Sequence, residues 1–188
     1  MGEDLHQPTF WSLRANVTRQ EANLVFGGHN PGAIYWRVRR GPLRRMALAY
    51  VPFRLYRVHY EVANARQERL FALESVEGAL DLLEFPAAPR EDQLLPVATR
   101  NCLAPGLDED RAESLMREKV LRIIFQNGFF RLREPKVQVV RGAKEFGMPY
   151  WLGFYGGDGS LCFRVLDAVR RRMEGGKATA LFERWLVA

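Results

Sequence analysis

Val51-Pro52-Phe53-Arg54-Leu55 returns 97 residues later as Met148-Pro149-Tyr150-Trp151-Leu152, with an aliphatic residue, a proline and an aromatic residue in the same order. The likeness continues downstream. Leu70-Phe71-Ala72-Leu73-Glu74-Ser75-Val76 reads against Phe163-Arg164-Val165-Leu166-Asp167-Ala168-Val169, which sets Glu74 opposite Asp167. Pro52 and Glu74 lie 22 positions apart and Pro149 and Asp167 lie 18 apart, a loop difference of four. Each half also opens with a helical pattern that ends at glycine. A duplicated unit that cannot cover its own sheet face packs against its twin. The expected fold is therefore α+β, with two helix-plus-antiparallel-sheet repeats related by a pseudo-twofold axis and a C-terminal helix packed on the sheet.

Working outward, Phe10–Phe26 places Leu13, Val17, Ala22, Leu24 and Val25 at loosely helical spacing and stops at Gly27-Gly28. The Gly-rich loop Gly27–Gly32 follows. Ala33–Arg40 alternates Ile34, Trp36 and Val38 with Tyr35, Arg37 and Arg39, the period-2 pattern of a half-buried strand. Leu43–Val62 reads as one or two strands with Pro52 at an edge or bulge, because proline cannot donate to a ladder. Pro86, Pro89, Pro96 and Pro105 mark a linker, so the chain divides into a first unit over 1–88, a linker over 89–107 and a second unit over 108–188, or folds as one compact domain. In the second half Asp108 is an N-cap, and Ala112, Leu115, Met116, Val120, Ile123 and Ile124 form one apolar helical stripe. Strands are expected at Phe129–Arg133, Lys136–Val140, Met148–Tyr155 and Leu161–Val169, with a hairpin turn at Gly156–Gly159. Leu181, Phe182, Trp185 and Leu186 define the final helix.

Hydrophobic residues make up 47% of the 188 and charged residues 27%, a globular composition long enough to bury a core without staples. Cys102 and Cys162 form neither a disulfide framework nor a zinc spacing. The N-terminus carries two acids and no apolar run, and no apolar stretch approaches the ~20 residues that span a bilayer. A cytoplasmic protein without a membrane partner is expected. The net charge of +6 rests on 24 arginines against 4 lysines. Guanidinium groups match phosphate and carboxylate geometry, yet a coding bias toward arginine is the simpler account of the excess.

No catalytic, metal or cofactor spacing occurs, so none is expected, and the first reading is a non-enzymatic module for protein interaction or small-ligand binding. Its binding face would centre on Tyr56 and Trp151. An alternative reading is single-stranded nucleic-acid binding, in which Arg37, Arg39, Arg54, Tyr56 and Tyr60 form an Arg/Tyr sheet face that stacks bases and meets phosphates. A second alternative is an enzyme at the junction of the repeats, using Glu74 and Asp167 as a carboxylate pair or His29 in its Gly-rich loop. Two bland accounts compete with these. Acids ending strands more often cap turns, and the run Arg170-Arg171-Arg172 reads as a solvated basic turn.

Overall fold

The computed structural model describes residues 9–62, 65–126, 136–156 and 162–187. In chain order the elements are β1 (Thr9–Leu13), α1 (Arg19–Gly27), α2 (Pro31–Arg40), β2 (Leu43–Val62), β3 (Ala65–Glu74), β4 (Leu83–Phe85), β5 (Leu94–Ala98), α3 (Glu109–Gln126), β6 (Val137–Tyr155), β7 (Cys162–Asp167), β8 (Arg172–Met173) and α4 (Gly176–Val187). The fold is α+β. The strands join one large mixed sheet in the order β4-β3-β2-β6-β1-β5, with β7 paired to β6 and β8 to β7. The pairs β1–β5, β2–β3, β3–β4, β6–β7 and β7–β8 are antiparallel, and β1 meets β6 in parallel at Ser12 and Gly147. Among the described residues no helix is long and apolar enough to cross a membrane.

Two compact units share the chain in an interleaved way. Unit one takes Met1–Val51, Asp92–Leu103 and Gly147–Ala188, and unit two takes Pro52–Glu91 and Ala104–Phe146. The boundary runs through the interiors of β2 and β6. The proline-containing stretch 89–107 contributes to both units, and within it β5 pairs with β1 from Leu94 to Ala98.

In unit one, α1 begins at a capping box. Thr18 accepts from the Glu21 amide, while the Glu21 carboxylate accepts from the Thr18 amide at 2.8 Å. Its inner side buries Ala22 and Phe26 against Trp151, Tyr155 and Leu166. Gly153 makes this contact possible, because a Cβ there would stand 2.6 to 2.8 Å from the Phe26 ring. On α4, Ala178, Leu181 and Phe182 are buried, and Phe182 meets Tyr150 edge-on at 5.7 Å.

In unit two, the cross-strand pair β2–β3 runs in register from Phe53↔Glu74 to Val62↔Ala65. One stripe of α3, Ala112, Met116, Val120 and Ile124, covers Tyr56, Val58, Phe71 and Leu73. The other side of the same stretch holds Phe53, stacked on Phe146 at 6.5 Å.

Several sequence expectations need correction. Ala33–Arg40 is not a strand but the helix α2, because Asn30 caps it, Pro31 occupies its first turn and Gly41 ends it at φ 86°. Those end signals outweigh an alternation that also suits a peripheral helix. Phe10–Phe26 is not one helix: Thr9–Leu13 pairs with β5, and α1 starts only after Thr18. Pro52 is not at an edge, since β2 lies between β3 and β6; its carbonyl accepts from the Ser75 amide at 2.9 Å, just where register with β3 begins. The segments expected at Lys136–Val140 and Met148–Tyr155 are parts of one strand, β6, which begins at Val137. The expected strand at Phe129–Arg133 and most of the turn at Gly156–Gly159 lie outside the described residues.

The Gly153–Phe26 contact gives the first prediction. Gly153→Ala should destabilise the protein by about 1–3 kcal/mol through overpacking. In urea denaturation, Phe26→Leu should cost less in the Gly153→Ala background than alone. Additive losses would mean that the ring is not the obstacle.

Candidate nucleic-acid interface

Of the residues expected to form one Arg/Tyr face, Arg54, Tyr56 and Tyr60 do share one side of β2, but that side is turned toward α3, and Arg37 and Arg39 lie elsewhere. Tyr56 is 1% exposed inside the core under α3, and its hydroxyl has no hydrogen-bond partner among the described residues. Burial pushes that hydroxyl above the usual tyrosine range. Arg54 donates from Nε to Glu145 at 2.6 Å, and Glu145 also accepts from Arg141, which reaches Glu109 at 2.7 Å. Tyr60 packs half-buried against the same core. Trp151 is buried in unit one and donates from Nε1 to the Val17 carbonyl at 2.9 Å. Arg37 and Arg39 are exposed on α2, so the sheet-face arrangement is replaced by a helical one.

Glu74 and Asp167 are 0% exposed, and each closes the turn after its own strand. Glu74 accepts from the Val76, Glu77 and Ala79 amides. Asp167 accepts from the Val169 and Arg170 amides at 2.8 and 2.7 Å and from Arg170 Nε at 2.5 Å. Both oxygens of each carboxylate are thus engaged, and the capping reading accounts for every contact. His29 sits exposed in the turn between α1 and α2. Among the described residues no three His, Cys, Asp or Glu side chains gather as metal ligands. Burial pushes the Cys102 thiol up to about 11, which keeps it protonated at neutral pH. A groove of about 840 Å³ lies along the β2–β3 hairpin beside His59, Tyr60 and Lys136, where Glu68 meets Arg57 at 3.3 Å and His59 at 3.6 Å.

The charge distribution singles out another surface. Unit one holds 14 Arg and Lys against 8 Asp and Glu, and unit two holds 14 against 14, together the 28 and 22 of the whole chain. All of the net +6 therefore belongs to unit one. From Ala22 to Tyr60 the sequence contains no carboxylate. Within that stretch Arg37, Arg39, Arg40, Arg44 and Arg45 are exposed on α2 and the start of β2. Among the described residues none of the five pairs with a carboxylate. Arg39 donates to the Tyr35 hydroxyl at 2.6 Å, Arg44 to the Gly156 carbonyl at 2.9 Å, and Arg45 lies 4.7 Å over the Phe154 ring.

The run Arg170-Arg171-Arg172 forms a contrast, because Arg170 meets Asp167 and Glu174, Arg171 meets Glu21 at 3.1 Å, and Arg172 meets Glu174. That basic run is internally neutralised and the α2 cluster is not. Sequence reading had picked Arg37 and Arg39 but missed Arg40, Arg44 and Arg45. The signal for them was the missing acids around them. The chain matches no protein-family model, no curated protein and no solved structure.

Glu74→Gln or Asp167→Asn turns one acceptor into a donor facing backbone amides, and should cost about 2–4 kcal/mol in chemical denaturation. A loss within experimental error would sink the capping account. In a Cys162→Ser background at about pH 8, Cys102 should react with a disulfide reagent at least roughly ten-fold more slowly than an unburied thiol, with the rate climbing toward pH 11. A fast reaction at neutral pH would instead mark an activated thiol.

Proposed function

We propose that this protein is a non-enzymatic binding module that takes nucleic acid through the arginine surface of α2 and the start of β2. One observation carries the reading: Arg37, Arg39, Arg40 and Arg44 are exposed along α2 and the first residues of β2 without carboxylate partners among the described residues, while the other arginine run of the same unit is paired. Guanidinium forks suit phosphate oxygens, and counterion release from a polyanion rewards such a cluster. Tyr35, exposed beside Arg39, adds a ring that can stack on a base.

We also infer that the two units descend from one duplicated helix-plus-hairpin element. The Pro52 carbonyl accepts from the amide after Glu74, and the Pro149 carbonyl from the amide after Asp167. The Ser75 carbonyl accepts from Gly106 and Leu107, and the Ala168 carbonyl from Asn16 and Val17; in each case the helix cap, Asp108 or Thr18, comes next. Ala112 and Met116 then bury at the same steps from their cap as Ala22 and Phe26. In this reading the shared element is a scaffold, and α2, which has no counterpart among the described residues of unit two, carries the specialised role.

The test is a fluorescence-anisotropy titration with short nucleic acids at about 50 and 200 mM salt. Roughly four phosphate contacts predict an affinity loss on the order of a hundred-fold over that range. Replacing Arg37, Arg39 and Arg40 with alanine should lower the slope of log affinity against log salt by about 2–3. Salt-independent binding, or a triple variant that binds as well as the parent, would overturn the reading and turn the search to protein partners.

A further inference from the structure

We propose that α1 and α2 act as a helix-turn-helix pair that seats α2 in the major groove of duplex DNA. This rests on the nucleic-acid reading above and specifies its ligand. Nine residues of α1 are followed by a three-residue turn, Gly28–Asn30, and by ten residues of α2, about 15 Å of helix. A first helix, a short glycine-containing turn and a displayed second helix is the arrangement by which such pairs enter a groove roughly 12 Å wide.

The division of labour between the helices is uneven in the required sense. α1 is anchored, with Ala22 and Phe26 fully buried. α2 is displayed: Ala33 is its one buried residue, and Trp36 is held at its base by Tyr155 at 5.4 Å and by the Arg164 guanidinium at 5.6 Å.

One side chain fixes the corner. Asn30 Oδ1 accepts from the Ala33 amide at 2.8 Å, capping α2, while its Nδ2 donates to the Leu24 and Val25 carbonyls at 3.0 Å, closing the end of α1. The Gly28 amide also reaches the Leu24 carbonyl, so closely that a Cβ at Gly28 would stand 2.3 Å from that oxygen. The helices are thus presented at a set angle rather than joined by a loose linker, as a reading helix requires.

The outward side of α2 has the matching chemistry. Ile34, Tyr35 and Val38 are exposed on adjacent turns, and Val38, at 82%, is the most exposed large hydrophobic residue of the helix. Arg37 and Arg39 flank them, and Arg40 follows Ala33 and Trp36 along the other side of the helix to its exposed end. Apolar side chains at the tip meet thymine methyl groups in the major groove, while arginines reach guanine edges or the flanking phosphates. Arg44, just past the turn at Gly41-Pro42, extends the phosphate contacts along the strand, while Arg45 points to the other side of β2, over Phe154. A single strand would favour several open rings in a row, and here Tyr35 stands out while Trp36 is packed at the base.

The experiment measures binding of the full chain to a guanine-containing duplex of about 20 base pairs, to the single strand of the same sequence, and to vesicles of phosphatidylcholine with phosphatidylserine. The duplex should bind at least ten-fold more tightly than the single strand, and saturating protein should protect guanine N7, which lies in the major groove, from dimethyl sulfate. Val38→Asp should weaken duplex binding by at least ten-fold with an unchanged thermal unfolding curve, since the side chain is exposed. Equal or tighter single-strand binding, unprotected N7, or binding to anionic vesicles alone would overturn the proposal. Single-strand binding with a steep salt slope would overturn it while leaving the nucleic-acid reading standing; no binding to any nucleic acid would remove both.

Discussion

The buried carboxylate of Asp167 is the constraint from which α1 and α2 of unit one are positioned. It closes the turn after β7, and the next residue, Ala168, is then held from both sides. Its amide donates to the Pro149 carbonyl at 3.1 Å, and its carbonyl accepts from Asn16 and Val17 at 2.7 and 3.0 Å. Those two amides lead directly into Thr18, the cap of α1. From there Phe26 locks α1 onto the Gly153 gap, and Asn30 passes the orientation on to α2. An exposed helix with one buried residue is therefore oriented by a chain of hydrogen bonds that begins at a fully buried acid. Breaking a buried charged acceptor typically costs more than losing a surface contact, so the ordering of this relay is robust where it matters.

Unit two uses the same local devices for a different end. Glu74 closes the turn after β3, Ser75 holds Gly106 and Leu107, and Asp108 caps α3. Here the helix is longer and its outer side is laced with balanced pairs, Arg117 with Glu113 and Arg122 with Glu118. Pairs of that kind are worth a few tenths of a kcal/mol each and leave no net field. The same turn and cap devices thus occur in one unit of balanced charge and one that is strongly basic.

What the sequence disclosed was what depends on neighbours in the chain. The matched acids Glu74 and Asp167 could be read directly, because each caps amides within five positions, whereas the matched prolines stood out only as a pattern, since their carbonyls accept from Ser75 and Ala168 far along the chain. The stripe of α3 could be read because its packing follows one helical period. The nature of α2 was misread because three apolar residues at even spacing fit both a strand and a peripheral helix, and only Asn30-Pro31 and Gly41 decide between them. Tyr56 was misplaced because β2 is covered on both sides near Leu55, so alternation no longer separates inside from outside. The charge partition was illegible for another reason: units that interleave through β2 and β6 leave no continuous window in which the net charge of either can be counted.

That partition also bears on coding bias as the source of the arginines. A bias toward arginine codons enriches basic residues everywhere, and unit two, the smaller unit, has as many Arg and Lys as unit one. The difference lies in the acids, 8 against 14, which such a bias does not remove. Nor does the stability of α2 require the cluster. Arg37, Arg39 and Arg40 in its last turn interact favourably with the helix dipole by about 0.3–1 kcal/mol each, but the pair Arg37 and Arg40, one turn apart, repels by a similar few tenths. The gain is small and a single cation would secure most of it. A stretch that excludes every acid from Ala22 to Tyr60 while exposing Arg37, Arg39, Arg40 and Arg44 thus gains little for the fold itself.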